Sequence, residues 1–141
     1  MIEFHSEDSD FVLSDENKAR KWLQDVIQNE KGVLQEVNYI FCSDEYLYQM
    51  NLDFLEHDTY TDVITFPYSP PPFAHGDIFI STERTAENAM EYASSPEQET
   101  LRVMVHGLLH LLGYDDHTAA EKAGMREKEN FYLTMYEKQA D

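Results

Sequence analysis

The sequence predicts an α+β fold, in which helices pack on a small mixed sheet within a single domain of residues 1–141. Three observations support this prediction. Short segments rich in β-branched and aromatic residues and longer segments of helical apolar spacing follow in the order α, β, α, β, β, α, α, α after the N-terminal segment. A chain of 141 residues with 42% apolar residues is long enough to bury one core. No repeat or linker divides it.

The N-terminal segment predicts an edge strand followed by a helix. Residues 2–12 contain EF and FVL, which indicate a short strand and its continuation. In SDENKARKWLQDVIQNEKG, Ser14 is a suitable N-cap and Gly32 ends the helix. The apolar residues of this helix recur on one face: Trp22, Leu23, Val26 and Ile27.

The middle of the chain predicts three strands and two helices. The strands are the β-branched and aromatic segments EVNYIFC (36–42), TDVITF (61–66) and GDIFIS (76–81). Ser43 caps a helix after the first strand, and residues 82–93 form another after the third. PYSPPPFAH carries four of the five prolines, which predicts an extended loop between the last two strands.

The C-terminal third predicts two helices with clear start signals. Ser95-Pro96-Glu97-Gln98 combines an N-cap, a proline at the first helical position and a capping box, which predicts a helix over 96–112. A second capping box, Thr118-Ala119-Ala120-Glu121, starts a helix over 119–137. Its inward residues are predicted to be Met125, Phe131, Tyr132, Met135 and Tyr136.

Composition restricts the location and the partners. No apolar run is long enough to span a membrane, and MIEFHSEDSD does not resemble a signal peptide, so we expect a cytoplasmic protein without a membrane partner. The single cysteine, Cys42, excludes an internal disulfide and a Cys-based zinc site. The net charge of −18 argues against nucleic-acid binding unless a basic patch, a metal or a partner protein assists.

The segment HGLLHLLGYDDH, residues 106–117, predicts a metal site. His106 and His110 lie one helical turn apart and project from the same face, which is half of a tetrahedral zinc site. The pattern resembles the zincin motif H-E-x-x-H-x-x-G-x-x-H, with a metal-binding helix, but Gly107 replaces the glutamate base. Peptide hydrolysis would therefore be poor. We expect one Zn²⁺ per chain.

The same segment, with TDVITFP and GDIFIS before it, resembles the YbeY family of bacterial metal-dependent endoribonucleases. That family carries H-G-x-L-H-L-x-G-Y-D-H after N-x-x-Y-R-x-x-D-x-P-T-D-V-L-S-F-P and L-G-D-I. The resemblance runs from about Val37 to the last helix. It implies a zinc-binding α+β fold and hydrolytic cleavage of single-stranded RNA, in maturation of small-subunit ribosomal RNA and in ribosome quality control. Ribosomal or ribosome-assembly proteins are possible partners.

Two positions depart from the family pattern. The third histidine of the family falls on Asp116 here, with His117 one residue later, so either Asp116 binds the metal or an inserted residue lets His117 bind it. We favour Asp116 because zinc accepts a carboxylate at nearly the distance of an imidazole. The arginine of the family falls on Leu55. Arg102, one turn before His106, is our candidate for the missing phosphate contact, or else pairs with Gln98 or Glu99.

The remaining polar residues of the pattern have two interpretations each. Asn51, Asp58, Thr61 and Asp62 keep the rest of the family segment, but Thr61 and Asp62 also suit a turn before a strand. Asp77 is either an acceptor for a ligand histidine or a residue at a strand entry.

Three functions remain open from the sequence. The leading one is a metal-dependent endoribonuclease in which His106, His110 and Arg102 carry catalysis. The second is a metalloprotease with another base, Glu99 or Asp115. The third is a ribosome-assembly module with structural zinc and no catalysis.

Overall fold

The computed structural model describes residues 1–57 and 59–139, which contain four strands and five helices. In chain order they are β1 (Ile2–Ser6), α1 (Glu16–Asn29), β2 (Val33–Cys42), α2 (Asp44–Leu55), β3 (Val63–Pro67), β4 (Phe73–Ser81), α3 (Thr82–Glu91), α4 (Pro96–Leu111) and α5 (Ala119–Lys138). The predicted α+β class is confirmed.

The four strands form one mixed sheet in the order β1-β2-β4-β3. β1 pairs with β2 and β2 with β4 in parallel, whereas β3 runs antiparallel to β4. The predicted edge position of β1 is confirmed. Pro67 is compatible with β3 because an edge strand has amides that need no partner.

The main core lies between one face of the sheet and helices α1, α4 and α5. Two buried side chains form hydrogen bonds across this core. Trp22 Nε1 donates to the Tyr132 carbonyl over 2.7 Å, and the Tyr39 hydroxyl donates to the Met104 carbonyl over 3.0 Å. The predicted stripe of α1 is buried. Helix α2 covers part of the opposite face through a smaller cluster around Leu47 and Ile64. No helix in the described ranges has the length and apolar character needed to cross a membrane.

Four local predictions were wrong. The first strand ends at Ser6 rather than continuing to residue 12, because Asp8 turns the backbone at a φ of 42°. Asp15 caps α1 instead of Ser14, whose amide and hydroxyl donate to Glu97. The proline-rich loop is short, since β4 already begins at Phe73. Phe131 is 57% exposed rather than inward.

Gly107 allows α4 to approach the sheet closely. A Cβ atom at this position would lie 2.9 Å from Ile78 Cγ2 and 3.4 Å from Thr65 Oγ1. Ile78 is fully buried and cannot move aside easily. The glycine that departs from the zincin motif is therefore explained by packing, since even a Cβ atom at this position would require Ile78 to shift.

We expect Gly107→Ala to destabilise the fold by up to about 2 kcal/mol, because overpacking costs about 1–3 kcal/mol and the helix-propensity gain offsets only about 1 kcal/mol. Gly107→Glu should be worse because it also buries a charge. The matched control is Gly124→Ala in α5, where a Cβ meets no atom within 4 Å. Urea unfolding should show a small gain for the control. Equal stability changes at the two glycines would contradict this explanation.

Candidate metal centre

Helix α4 brings His106 and His110 together at its C-terminal end. Their side chains are partly buried, and the two Nε2 atoms lie 3.0 Å apart. The pair is the consequence of helical spacing: positions four apart share one face, one turn above the other. The leucines and valines on the buried face of α4 hold that face against the sheet and α5.

Each imidazole is oriented by a partner at its other nitrogen. His106 Nδ1 lies 2.7 Å from Glu129 Oε2, and His110 Nδ1 lies 2.8 Å from the Tyr114 carbonyl oxygen. In neutral imidazoles, these acceptors place the ring proton on Nδ1. Both Nε2 atoms then present lone pairs to each other at 3.0 Å. That arrangement is repulsive unless a cation or a proton lies between them.

Asp116 completes a group of three metal-ligand side chains. Its Oδ2 lies 3.4 Å from His106 Nε2, and its Oδ1 lies 3.6 Å from His110 Nε2. Ligands at zinc distances of about 2.0–2.1 Å in a tetrahedron are separated by about 3.3–3.4 Å. The three side chains therefore form a group that could hold a metal ion, with the two carboxylate–imidazole distances close to tetrahedral zinc spacing.

His117 lies outside this group. Within residues 1–57 and 59–139, His106, His110 and Asp116 are the three ligand-type side chains that come within 4.8 Å of one another. The chain leaves α4 through Gly113, at a φ of 106°, and the capping box of Thr118 then starts α5. His117 precedes that cap and is exposed. Which of the two residues binds metal stays a prediction.

The surrounding carboxylates favour positive charge at His106. Burial alone would lower the pKa of His106, but the hydrogen bond that His106 donates to Glu129 and the charges of Glu129, Asp116 and Asp62 raise it above the ordinary value. The same negative potential attracts a cation to the site.

Glu129 is a part of the site that the sequence did not reveal. It lies on α5, is 5% exposed, and its second oxygen accepts from Arg102 Nη1 over 3.1 Å. Arg102 also donates to Asn130 and lies 4.0 Å from Glu99. The sequence feature that could have identified Glu129 is its position four residues after Met125, which places its carboxylate on the buried face of α5.

We expect Glu129→Ala to weaken zinc binding about 10–100-fold, because the orientation of His106 is lost. It should also destabilise the fold by about 3–5 kcal/mol, because Arg102 loses its buried partner. Glu129→Gln still accepts a hydrogen bond and should be milder in zinc binding. The control is Glu127→Ala, an exposed acid on the same helix. Zinc titration and thermal unfolding measure both effects; unchanged affinity in Glu129→Ala would contradict the role.

Two clefts meet at His106. The main cleft, of about 460 Å³, is lined by α2, β3 and the segment before it, including Leu55, Tyr60 and Thr61. The side cleft, of about 290 Å³, holds Glu99, Arg102, Arg126 and Glu129. Asp62, His106 and Asp116 line both. A substrate in either cleft would contact the metal ligands.

Two carboxyl groups in these clefts are suited to proton exchange. Burial raises the pKa of Asp62, although His106 nearby opposes the shift, and burial also raises the pKa of Glu99 against the opposing charge of Arg102. A raised carboxyl pKa beside a cluster of ligand-type side chains is typical of general acid–base groups.

The remaining predicted residues occupy different places. Leu55 lines the main cleft and is 40% exposed, so the family arginine position faces the cleft without a charge. Asn51 is buried and donates to Thr59. Asp77 accepts from Asn38 and Tyr68 on the sheet face opposite α4, so the interpretation as a histidine acceptor was wrong. Asp58 lies outside the described residues.

Comparison with known proteins identifies relatives over nearly the whole chain. The family described as Endoribonuclease YbeY matches residues 1–137. Proteins of that name from Cytophaga hutchinsonii and Christiangramia forsetii are 49% and 42% identical over 135 residues each. The matches cover 95% and 96% of this chain and 94% of each relative. A solution structure from Thermotoga maritima, 29% identical, matches with a TM-score of 0.70 over 96% of this chain and 89% of that one.

Proposed function

This chain belongs to the YbeY family of endoribonucleases, and we propose that His106, His110 and Asp116 hold one Zn²⁺ ion for cleavage of single-stranded RNA. The observation that supports the metal is the pair of Nε2 atoms facing each other at 3.0 Å with a carboxylate beside them. We place the activity in maturation of small-subunit ribosomal RNA and in ribosome quality control, in the cytoplasm, by one domain of residues 1–141.

The protein residues in this proposal orient, bind and exchange protons. A bound zinc ion would supply Lewis-acid stabilisation of a phosphoryl oxygen or activation of the nucleophile. Glu129 fixes His106, and the Tyr114 carbonyl fixes His110. Asp62 is the candidate to accept or donate a proton, because it lines both clefts.

RNA binding has to overcome a net charge of −18. Arg102 and Arg126 line the side cleft, which makes it the place where a phosphate near the histidines would meet positive charge. We propose that ribosomal or ribosome-assembly proteins supply further basic surface. The two other functions considered from the sequence gain no support: the relatives are named endoribonucleases, and position 107 carries glycine in place of the zincin base.

The test of this function uses the zinc-loaded chain with single-stranded RNA and with casein, each with and without a chelator. We expect RNA cleavage that the chelator abolishes and no casein cleavage. His106→Ala controls for a contaminating nuclease. Chelator-resistant RNA cleavage would contradict the metal role, casein cleavage would support the protease, and zinc binding without cleavage would support the assembly module.

The role of Arg102 in RNA cleavage requires a separate experiment, because its guanidinium already pairs with Glu129. If Arg102 contacts phosphate, Arg102→Ala should lose RNA cleavage, and adding Leu55→Arg should restore part of it by returning a positive charge to the adjoining cleft. If Arg102 acts only by supporting Glu129, the second substitution restores nothing. Zinc affinity, measured in the same variants, separates the two roles.

A further inference from the structure

Glu30 carries a nearly buried carboxylate at the C-terminal end of helix α1, where the helix dipole disfavours a negative charge. The residue follows Asn29, at the C-terminal end of α1, and its side chain is 8% exposed. The helix dipole is negative at that end, and an ionised side chain with so little solvent needs compensating partners. The reason for this charge therefore lies in its contacts outside α1.

Three donors from two other parts of the chain converge on Glu30. The Tyr114 hydroxyl donates to Oε1 over 2.6 Å. Lys128 Nζ lies 3.0 Å from Oε2, and the Tyr132 hydroxyl also donates to Oε2. Burial alone would raise the pKa of Glu30, but these partners hold the pKa below its ordinary value. Lys128 and Tyr132 join α1 to α5, whereas Tyr114 lies in the turn between α4 and α5.

Tyr114 connects this carboxylate to the metal centre. Its backbone carbonyl accepts the hydrogen bond from His110 Nδ1, and Asp116 follows two residues later. Its ring lies 4.8 Å from Lys128 Nζ, so both ends of the side chain are held. Apart from Asp116, the turn residues 113–117 are exposed. Fixing the Tyr114 side chain therefore restrains the peptide that orients His110 and leads to Asp116.

We propose that Glu30 is a positioning residue for the metal centre and acts through the Tyr114 hydroxyl. This inference rests on the proposed zinc site. It adds a residue about 80 positions before His110 in sequence that holds the turn of residues 113–117 in place. The competing explanation is that Glu30 only fastens α1 to α5 through Lys128 and Tyr132.

Two tyrosine variants separate these explanations, since each removes one phenol hydroxyl from the same carboxylate. Tyr114→Phe breaks the link to the turn and keeps both links to α5. Tyr132→Phe keeps the link to the turn and removes one of the two links to α5, leaving Lys128. We expect Tyr114→Phe and Glu30→Gln to raise the zinc dissociation constant about tenfold, the lower end for an outer partner of a ligand. Tyr132→Phe should lower the unfolding midpoint of the zinc-free chain but keep the wild-type zinc affinity.

The measurements are chelator competition for zinc affinity, thermal unfolding of the zinc-free chain, and the visible absorption spectrum of the Co²⁺-loaded chain. The double variant Glu30→Gln/Tyr114→Phe should lose no more affinity than either single one, because both break the same link. A changed Co²⁺ spectrum in Tyr114→Phe, with the wild-type spectrum in Tyr132→Phe, would support positioning of the ligands.

Equal zinc affinity in Tyr114→Phe and the wild type would overturn the inference and leave the proposed zinc site intact. Equal losses in the two tyrosine variants would also overturn it, because the effect would then come from the α1–α5 contact. A wild-type chain that binds no zinc, or a His106→Ala variant that binds it normally, would overturn the proposed site and this inference with it.

Discussion

The double variant His106→Ala/His110→Ala is expected to retain almost no zinc, whereas we expect one zinc ion per wild-type chain. The substitution removes both imidazoles and leaves Asp116 as a single carboxylate, which is too few ligands for a protein zinc site. RNA cleavage should fall by about 10³-fold or more, because losing even one preorganised electrostatic contact in a catalytic site costs about 10²–10³-fold.

Elemental analysis after gel filtration measures the zinc content, and far-UV circular dichroism checks that the variant is folded. The matched control is His5→Ala/His75→Ala, which removes two histidines from the strands β1 and β4. That control should keep one zinc ion and full RNA cleavage. Zinc at the wild-type level in the His106/His110 variant would refute the site, and a loss in the control would indicate nonspecific binding by histidines.

The features that local sequence determines were predicted well. His106 and His110 share a helix face because they are four residues apart in α4. This placement depends only on the helix and not on contacts with distant residues. Ser43 and Thr118 cap helices through amides only three residues away, and both caps are present. The apolar stripe of α1 is buried for the same reason: helical periodicity alone places those residues on one face.

The features that depend on distant contacts were missed. Ser14 loses the cap of α1 to Asp15 because Glu97, on α4, takes its amide and hydroxyl. Glu129 contacts His106 from α5, which begins after the turn of residues 113–117. In the sequence, the position of Glu129 in the helical repeat of α5 cannot be distinguished from that of any other buried residue. Phe131 is exposed although it follows the apolar pattern of α5. Such contacts are set by how helices pack, which periodicity does not specify.

Asp116 is our choice for the third ligand. Asp116→Ala should raise the zinc dissociation constant by more than about 100-fold, because removing a ligand exceeds the effect of removing an outer partner. His117→Ala should leave the affinity unchanged, since His117 precedes the Thr118 cap and lies outside the group of ligand atoms. Asp116→His should keep zinc bound and make it a stronger Lewis acid, because a neutral imidazole replaces a negative carboxylate.

Chelator competition at neutral pH measures the affinity of all three variants, and RNA cleavage measures the Lewis-acid effect. His117→Ala serves as the matched control, because it changes the adjacent residue of the same turn. Loss of zinc in His117→Ala alone would contradict our choice and would mean that the turn accommodates an inserted residue when metal binds. Loss in both variants would mean that the two side chains share the ion, which the position of His117 outside the cluster does not favour.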